Sequence, residues 1–184
     1  ESNRVLNQKM ARMMETPQKG PSESIRWGLG VRVGGTRPNI YFEHGGSAAF
    51  QCDMVGYPSG DGVVVLTNGG GGGPLSGQIV RSVAQAYDWP DFQPIEHTVV
   101  HVDPAKFGRY VGTYDFMKVK QDGNRLMAEI PIGSKAQELF PESDTQYFLR
   151  DDPTRIIFDV NPDGSVTGLE FITTYVHWHR EKTR

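Results

Sequence analysis

The sequence predicts an α+β chain in two parts: helices and strands of an antiparallel sheet in the first half, and a small antiparallel β-barrel in the second. Three observations carry this expectation. Apolar residues recur at helical spacing in residues 1–20 and 75–87. Apolar and polar residues alternate from Tyr110 onward, the period of strands with one buried face. Turn-forming clusters such as Pro58-Ser59-Gly60-Asp61-Gly62, Asp122-Gly123 and Asp163-Gly164 separate the alternating runs.

Taken in order, Val5, Leu6, Met10, Met13 and Met14 form a narrow stripe that predicts a helix over 1–20, packed into a core. Thr16-Pro17 and Gly20-Pro21 end it, because proline biases the residue before it away from helix. Trp27, Leu29, Val31 and Val33 alternate and predict a strand over 25–33. Ile40 to Glu43, Ala48 to Tyr57 and Gly62 to Thr67 predict three more, joined by short links into an antiparallel meander. The unbroken apolar run of the last one predicts burial on both faces. Five consecutive glycines, Gly69 to Gly73, then predict a loop, and Ile79, Val80, Val83, Ala84 and Tyr87 predict a helix over 75–87 ended by Trp89-Pro90. Residues 90–100 hold prolines and acidic residues without periodicity, the composition of a linker. Beyond them, alternation at Tyr110–Phe116, Leu126–Ile130, Ile156–Val160 and Leu169–His177 predicts the barrel.

Composition narrows the function. A chain of 184 residues holds one large domain or two small ones and buries a core without staples. The net charge of -3 offers no basic field, so nucleic acid is excluded as a partner. The single cysteine, Cys52, excludes an intrachain disulfide and a multi-cysteine zinc site. No apolar run approaches the roughly 20 residues of a membrane-spanning helix. The chain begins at Glu1 without an initiator methionine, which is the expectation for a processed or truncated product.

The motifs that carry chemistry are few. The glycine run lacks the Gly-Lys-Ser/Thr of a phosphate loop, and Pro74-Leu75-Ser76 breaks the Gly-x-Gly-x-x-Gly spacing. No serine has a lysine three residues on, no Gly-x-Ser-x-Gly elbow is present, and Tyr-x-Asn is absent. His44-Gly45-Gly46-Ser47 falls at the end of a predicted strand, where two glycines let a ligand or another backbone approach closely; the same residues also suit a plain turn. His177 and His179 share one face of a strand, but the sequence names no third ligand, and they read as structural or surface histidines. His97 and His101 lack the glutamate of His-Glu-x-x-His, and Asp151-Asp152 beside Pro153 reads as a turn. Neither a metal nor a cofactor is expected.

Several segments together resemble a known family. Trp27-Gly28-Leu29-Gly30, His44-Gly45-Gly46 and Gly62-Val63-Val64-Val65-Leu66-Thr67-Asn68, in that order, resemble the C-terminal end of the serine β-lactamase and penicillin-binding-protein-like hydrolases, nearest the class C β-lactamase relatives that include esterases and D-amino-acid peptidases. Phe107-Gly108-Arg109-Tyr110-Val111-Gly112-Thr113-Tyr114, Leu139-Phe140-Pro141-Glu142-Ser143 and the run from Asp163 to Leu169 resemble the lipocalin-like domain appended to many of them. The resemblance implies residues 1–90 as an incomplete hydrolase domain, 91–106 as a linker and 107–184 as a lipocalin-like barrel.

It also implies roles. His44-Gly45-Gly46 matches the third motif of the family, with His44 beside the nucleophile, Gly45 and Gly46 against the substrate, and the backbone N–H of Ser47 directed at the oxyanion. Gly45 replaces the hydroxyl that β-lactamases use to hold a substrate carboxylate, which favours ester or peptide substrates over strong β-lactamase activity. The nucleophile motif Ser-x-x-Lys and the Tyr-x-Asn motif lie upstream in the family and are not among these residues, so the chain is expected to be inactive alone. A non-catalytic lipocalin-like module that binds a small molecule or partner is the other expectation. Exposed strand edges of a partial sheet further predict self-association. Members of that family are often periplasmic or secreted.

Overall fold

The computed structural model describes residues 5–18, 26–69, 72–173 and 176–183. The chain divides into two compact units, Glu1–Pro94 and Ile95–Arg184. Among the described residues both sheets are antiparallel throughout, and the chain is mostly β with few helices.

In the first unit, helix α1 spans Gln8–Met14, with the Asn7 side chain accepting from the Met10 N–H at 2.9 Å as its N-cap. It is shorter than the helix expected over 1–20, of which positions 1–4 and 19–20 lie outside the described residues. The expectation that its methionines join a core is overturned. No residue of α1 is buried, and Met10 and Met13 are each 40% exposed.

Four strands follow in the order β1 (Arg32–Thr36), β2 (Asn39–Ser47), β3 (Gln51–Gly56) and β4 (Gly62–Thr67), a meander as expected. The strand expected over 25–33 does not form as such; Ile25 lies outside the described residues. Trp27 makes a single bridge to Arg32, the Gly28 N–H donates to the Val31 carbonyl at 2.8 Å, and Gly30 turns the chain at φ +80°. That conformation suits a residue without Cβ, so the glycines that spell an alternating pattern in fact interrupt it. The third strand is also shorter than Ala48–Tyr57, because Ala48–Phe50 form the turn into it.

Helix α2 (Gly72–Ala86) packs on one face of this sheet and buries Ser76, Val80 and Ala84 against Val55, Val65, Tyr57 and Trp89. The helix begins inside the glycine run expected as a loop, at Gly72; Gly70 and Gly71 lie outside the described residues. Strand β4 contradicts the expectation of two buried faces. It is the last strand in the order, and while Val65 is buried beneath α2, Val64 is 65% and Leu66 78% exposed on the other side. An unbroken apolar run fits a strand buried on both faces, and equally one whose second apolar face is bare.

The second unit opens with an extended segment and a 3-10 turn at Pro104–Arg109. Eight strands then run in sequential order: β5 (Gly112–Tyr114), β6 (Met117–Asp122), β7 (Arg125–Glu129), β8 (Gln137–Pro141), β9 (Gln146–Phe148), β10 (Arg155–Val160), β11 (Val166–Ile172) and β12 (His177–Glu181). The alternation expected to run from Leu169 to His177 is split between β11 and β12; Tyr175 lies outside the described residues. The sheet curls until its ends meet. The Thr183 N–H donates to the Thr113 carbonyl at 2.9 Å, Lys182 Nζ donates to the Arg109 carbonyl at 2.8 Å, and Arg180 pairs with Asp115 at 2.9 Å, which makes the sheet a nearly closed barrel.

Side chains fill the barrel interior. Tyr110, Tyr114, Tyr147 and Ile156 have no exposed surface, and Met117, Leu126, Leu169 and Phe158 pack with them. The Tyr114 hydroxyl donates to the Tyr110 carbonyl at 2.8 Å, so this phenol is buried with a partner. The extended segment is held to the barrel by His97, whose Nδ1 lies 2.7 Å from Glu142 Oε1 and whose ring stacks on Phe148 at 3.9 Å.

Candidate functional site

Strand β2 is longer than its neighbour. β1 pairs with it from Asn39 to Glu43 and stops there, while β3 continues beside it to Ser47. His44, Gly45, Gly46 and Ser47 are therefore backed by β3 on one edge and lie beyond β1 on the other. A backbone edge of this kind accepts an added strand or an extended ligand.

The register explains both glycines. Gly45 faces Asp53 and Gly46 faces Cys52 across the β2–β3 ladder. A Cβ on Gly45 would sit 3.0 Å from Asp53 Oδ1, and one on Gly46 would sit 2.7 Å from Cys52 Sγ. The missing side chains are thus filled from β3, which leaves the backbone of this segment as its presented chemistry. Asp53 is fixed from below by α2, where the fully buried Ser76 hydroxyl donates to its carboxylate. Sequence reasoning missed this Asp53–Ser76 link, since the two residues are related by the sheet and not by spacing.

His44 is exposed, and its ring meets the Trp27 indole edge-to-face at 6.2 Å between centroids. By register it shares a face with Met54 and Val64, and Gly46 shares it with Cys52 and Leu66. This face is the one opposite α2 and includes the exposed Val64 and Leu66. Next to the site, Arg32 pairs with the buried Glu43 at 3.2 Å and lies over Trp27 at 5.8 Å.

On the α2 face, burial pushes the Tyr41 phenol up to about 12, with Glu43 and Asp91 adding to the effect. It is a neutral side chain at pH 7, packed against Phe92 and Tyr57. Ser76 has no exposed surface, so it lacks the access that a nucleophile needs, and its hydroxyl is spent on the Asp53 carboxylate.

The two histidines of β12 do not converge on a metal among the described residues. His177 pairs with Glu170 at 3.1 Å and His179 separately with Asp159 at 2.9 Å, and among the described residues no three His, Cys, Asp or Glu side chains form a metal-holding group. Nor is any described helix long and apolar enough to cross a membrane.

Comparison with known proteins adds to this geometry. Residues 96–182 match a family model described as a domain of unknown function (DUF3471). The chain is 34% identical over 86 residues to penicillin-binding protein 4* of Bacillus subtilis (strain 168), a stretch that covers 44% of this chain and 19% of that protein. Two solved structures are also similar. The octameric penicillin-binding protein homologue from Pyrococcus abyssi has 18% identity and a TM-score of 0.45 over 97% of this chain and 42% of that one. The crystal structure of SurE with D-Leu has 20% identity and a TM-score of 0.43 over 95% of this chain and 44% of that one. The chain has a penicillin-binding-protein-like relationship in sequence, and it spans about a fifth of the curated relative it matches.

Proposed function

We propose that this chain supplies the third catalytic element of a serine hydrolase related to penicillin-binding proteins and β-lactamases. The observation that carries the proposal is the edge of His44-Gly45-Gly46-Ser47, a backbone segment paired with β3 and, among the described residues, extending beyond the end of β1. In this reading the nucleophile and its activating base come from Ser-x-x-Lys and Tyr-x-Asn motifs outside residues 1–184. The serine hydroxyl attacks the carbonyl of an ester, an amide or a D-amino-acid peptide and forms an acyl-enzyme, which water then cleaves. The Ser47 N–H donates to the oxyanion, and His44 sets the electrostatics beside the nucleophile.

The bare apolar face that His44 shares with Val64 and Leu66 supports the reading, because it is the surface another layer of the same protein would cover. Residues 107–184 serve as the appended lipocalin-like domain. Their interior, packed with Tyr110, Tyr114, Tyr147 and Met117, favours a structural role over a ligand cavity. The sheet of the first unit also associates with other chains through the outer edge of its terminal strand β4.

The test is covalent labelling by a fluorophosphonate of the product extended upstream of Glu1 in its own reading frame. The adduct is expected on a serine outside residues 1–184, and His44→Ala is expected to slow labelling by roughly 10²-fold. An unchanged rate in His44→Ala would overturn the proposal.

A further inference from the structure

A second feature of the first unit lies at the opposite end of its sheet. In a meander the β1–β2 and β3–β4 turns fall at the same end, and here the end of α1 joins them. Arg12 and Glu15 from α1 and its cap, Arg37 and Pro38 from the β1–β2 turn, Ile40 from β2 and Pro58 from the β3–β4 turn line a cleft of about 790 Å³. That volume is in the range of small-molecule sites, roughly 300–1,000 Å³. Ile40 is four residues from His44 along β2, about 13 Å at the rise of a strand, so this cleft is separate from the segment described above.

Its lining is chemically divided. Pro38, Ile40 and Pro58 supply an apolar wall. Arg12 and Arg37 supply two guanidiniums, and among the described residues neither side chain has a hydrogen bond or an ion pair. Both side chains are exposed, and a guanidinium fork matches the two oxygens of a carboxylate. The one acidic side chain present, Glu15, leaves the lining with a formal charge of +1.

We propose that this cleft binds a small amphipathic monocarboxylate, with its carboxylate between Arg12 and Arg37 and its apolar body on Pro38, Ile40 and Pro58. A single negative charge balances the lining, whereas a dianion meets the repulsion of Glu15. The site is independent of the hydrolase reading and does not need a nucleophile.

Isothermal titration of the 184-residue chain with sodium octanoate tests it, with octylammonium chloride as the control of equal length and opposite charge. Octanoate is expected to bind saturably with one site per chain, and octylammonium is not. The double substitution Arg12→Gln/Arg37→Gln is expected to weaken octanoate by roughly 10-fold or more, since it removes charge-assisted hydrogen bonds. Glu15→Gln is expected to tighten it a few-fold, roughly the scale of a partly exposed charge pair. Absence of octanoate binding, equal binding of octylammonium, or an unchanged affinity in a folded double variant would each overturn the proposal. If circular dichroism shows the double variant unfolded, Glu15→Gln decides, and a failure to tighten overturns the proposal.

Discussion

Ile156 and Ile157 are adjacent on β10 and point to opposite sides of the barrel wall, which makes them a matched pair of probes. Ile156 has no exposed surface and belongs to the core with Tyr147, Phe158 and Leu169, while Ile157 is half-buried on the outside. Truncating Ile156 to alanine removes three buried carbons, worth about 2.4 kcal/mol at about 0.8 kcal/mol each. The cavity left in a filled interior adds to that, for a total of about 3–4 kcal/mol. Ile157→Ala removes the same atoms from a wetter site and is expected to cost about 1 kcal/mol or less. For a unit of this size each kcal/mol shifts the melting temperature by about 4–8 °C, so the two variants differ by more than about 8 °C. Near-UV circular dichroism, which follows the packed tyrosines, reads the transition. Equal costs for the two substitutions, or a cost under about 1 kcal/mol for Ile156→Ala, would refute the account of a packed barrel.

Glu142 gives a pH prediction. Burial, its largest single influence, pushes its carboxyl upward, but hydrogen bonds from His97, Gln146 and Arg155 outweigh it and hold the group below the usual carboxylate range. A carboxyl lowered by folding stabilises the folded state above its unfolded pKa of about 4.3, and that stability is lost as pH falls through the lower folded value. Denaturant titrations between pH 6 and pH 2.5 should show a steeper acid loss in the native chain than in Glu142→Gln; identical slopes would remove Glu142 from the account. The bare face of β4 gives another. Leu66→Lys and Val64→Lys are expected to lower self-association in sedimentation velocity while leaving the fold intact, because both side chains are already in water. Val65→Lys, buried under α2, is expected to unfold the first unit.

Local pattern is legible in this sequence where it coincides with burial. α2 and the barrel strands have one apolar face each, and the residues that set their period are the ones found inside, such as Val80 and Ala84 or Ile156 and Phe158. The pattern fails where apolar residues stay in water. The methionines of α1 and the outer residues of β4 carry the same signal as core residues, and only the sheet order shows what covers them. It fails again at Gly28 and Gly30, which continue an alternation by position and end it by backbone conformation.

The site was legible in part for the same reason. A histidine and two glycines at a strand end mark a place of close approach. That Asp53 and Cys52 fill the space of those glycines depends on register across two strands. The pairing of Arg12 with Arg37 around one cleft depends on three separate segments meeting, which no local window contains.

Under the proposed function, residues 1–184 hold the oxyanion side of a hydrolase site and not its nucleophile. Intact-mass analysis of the 184-residue chain after incubation with a fluorophosphonate tests it most directly. The account predicts an unmodified mass; a stoichiometric adduct mapped to a serine within the chain would contradict it.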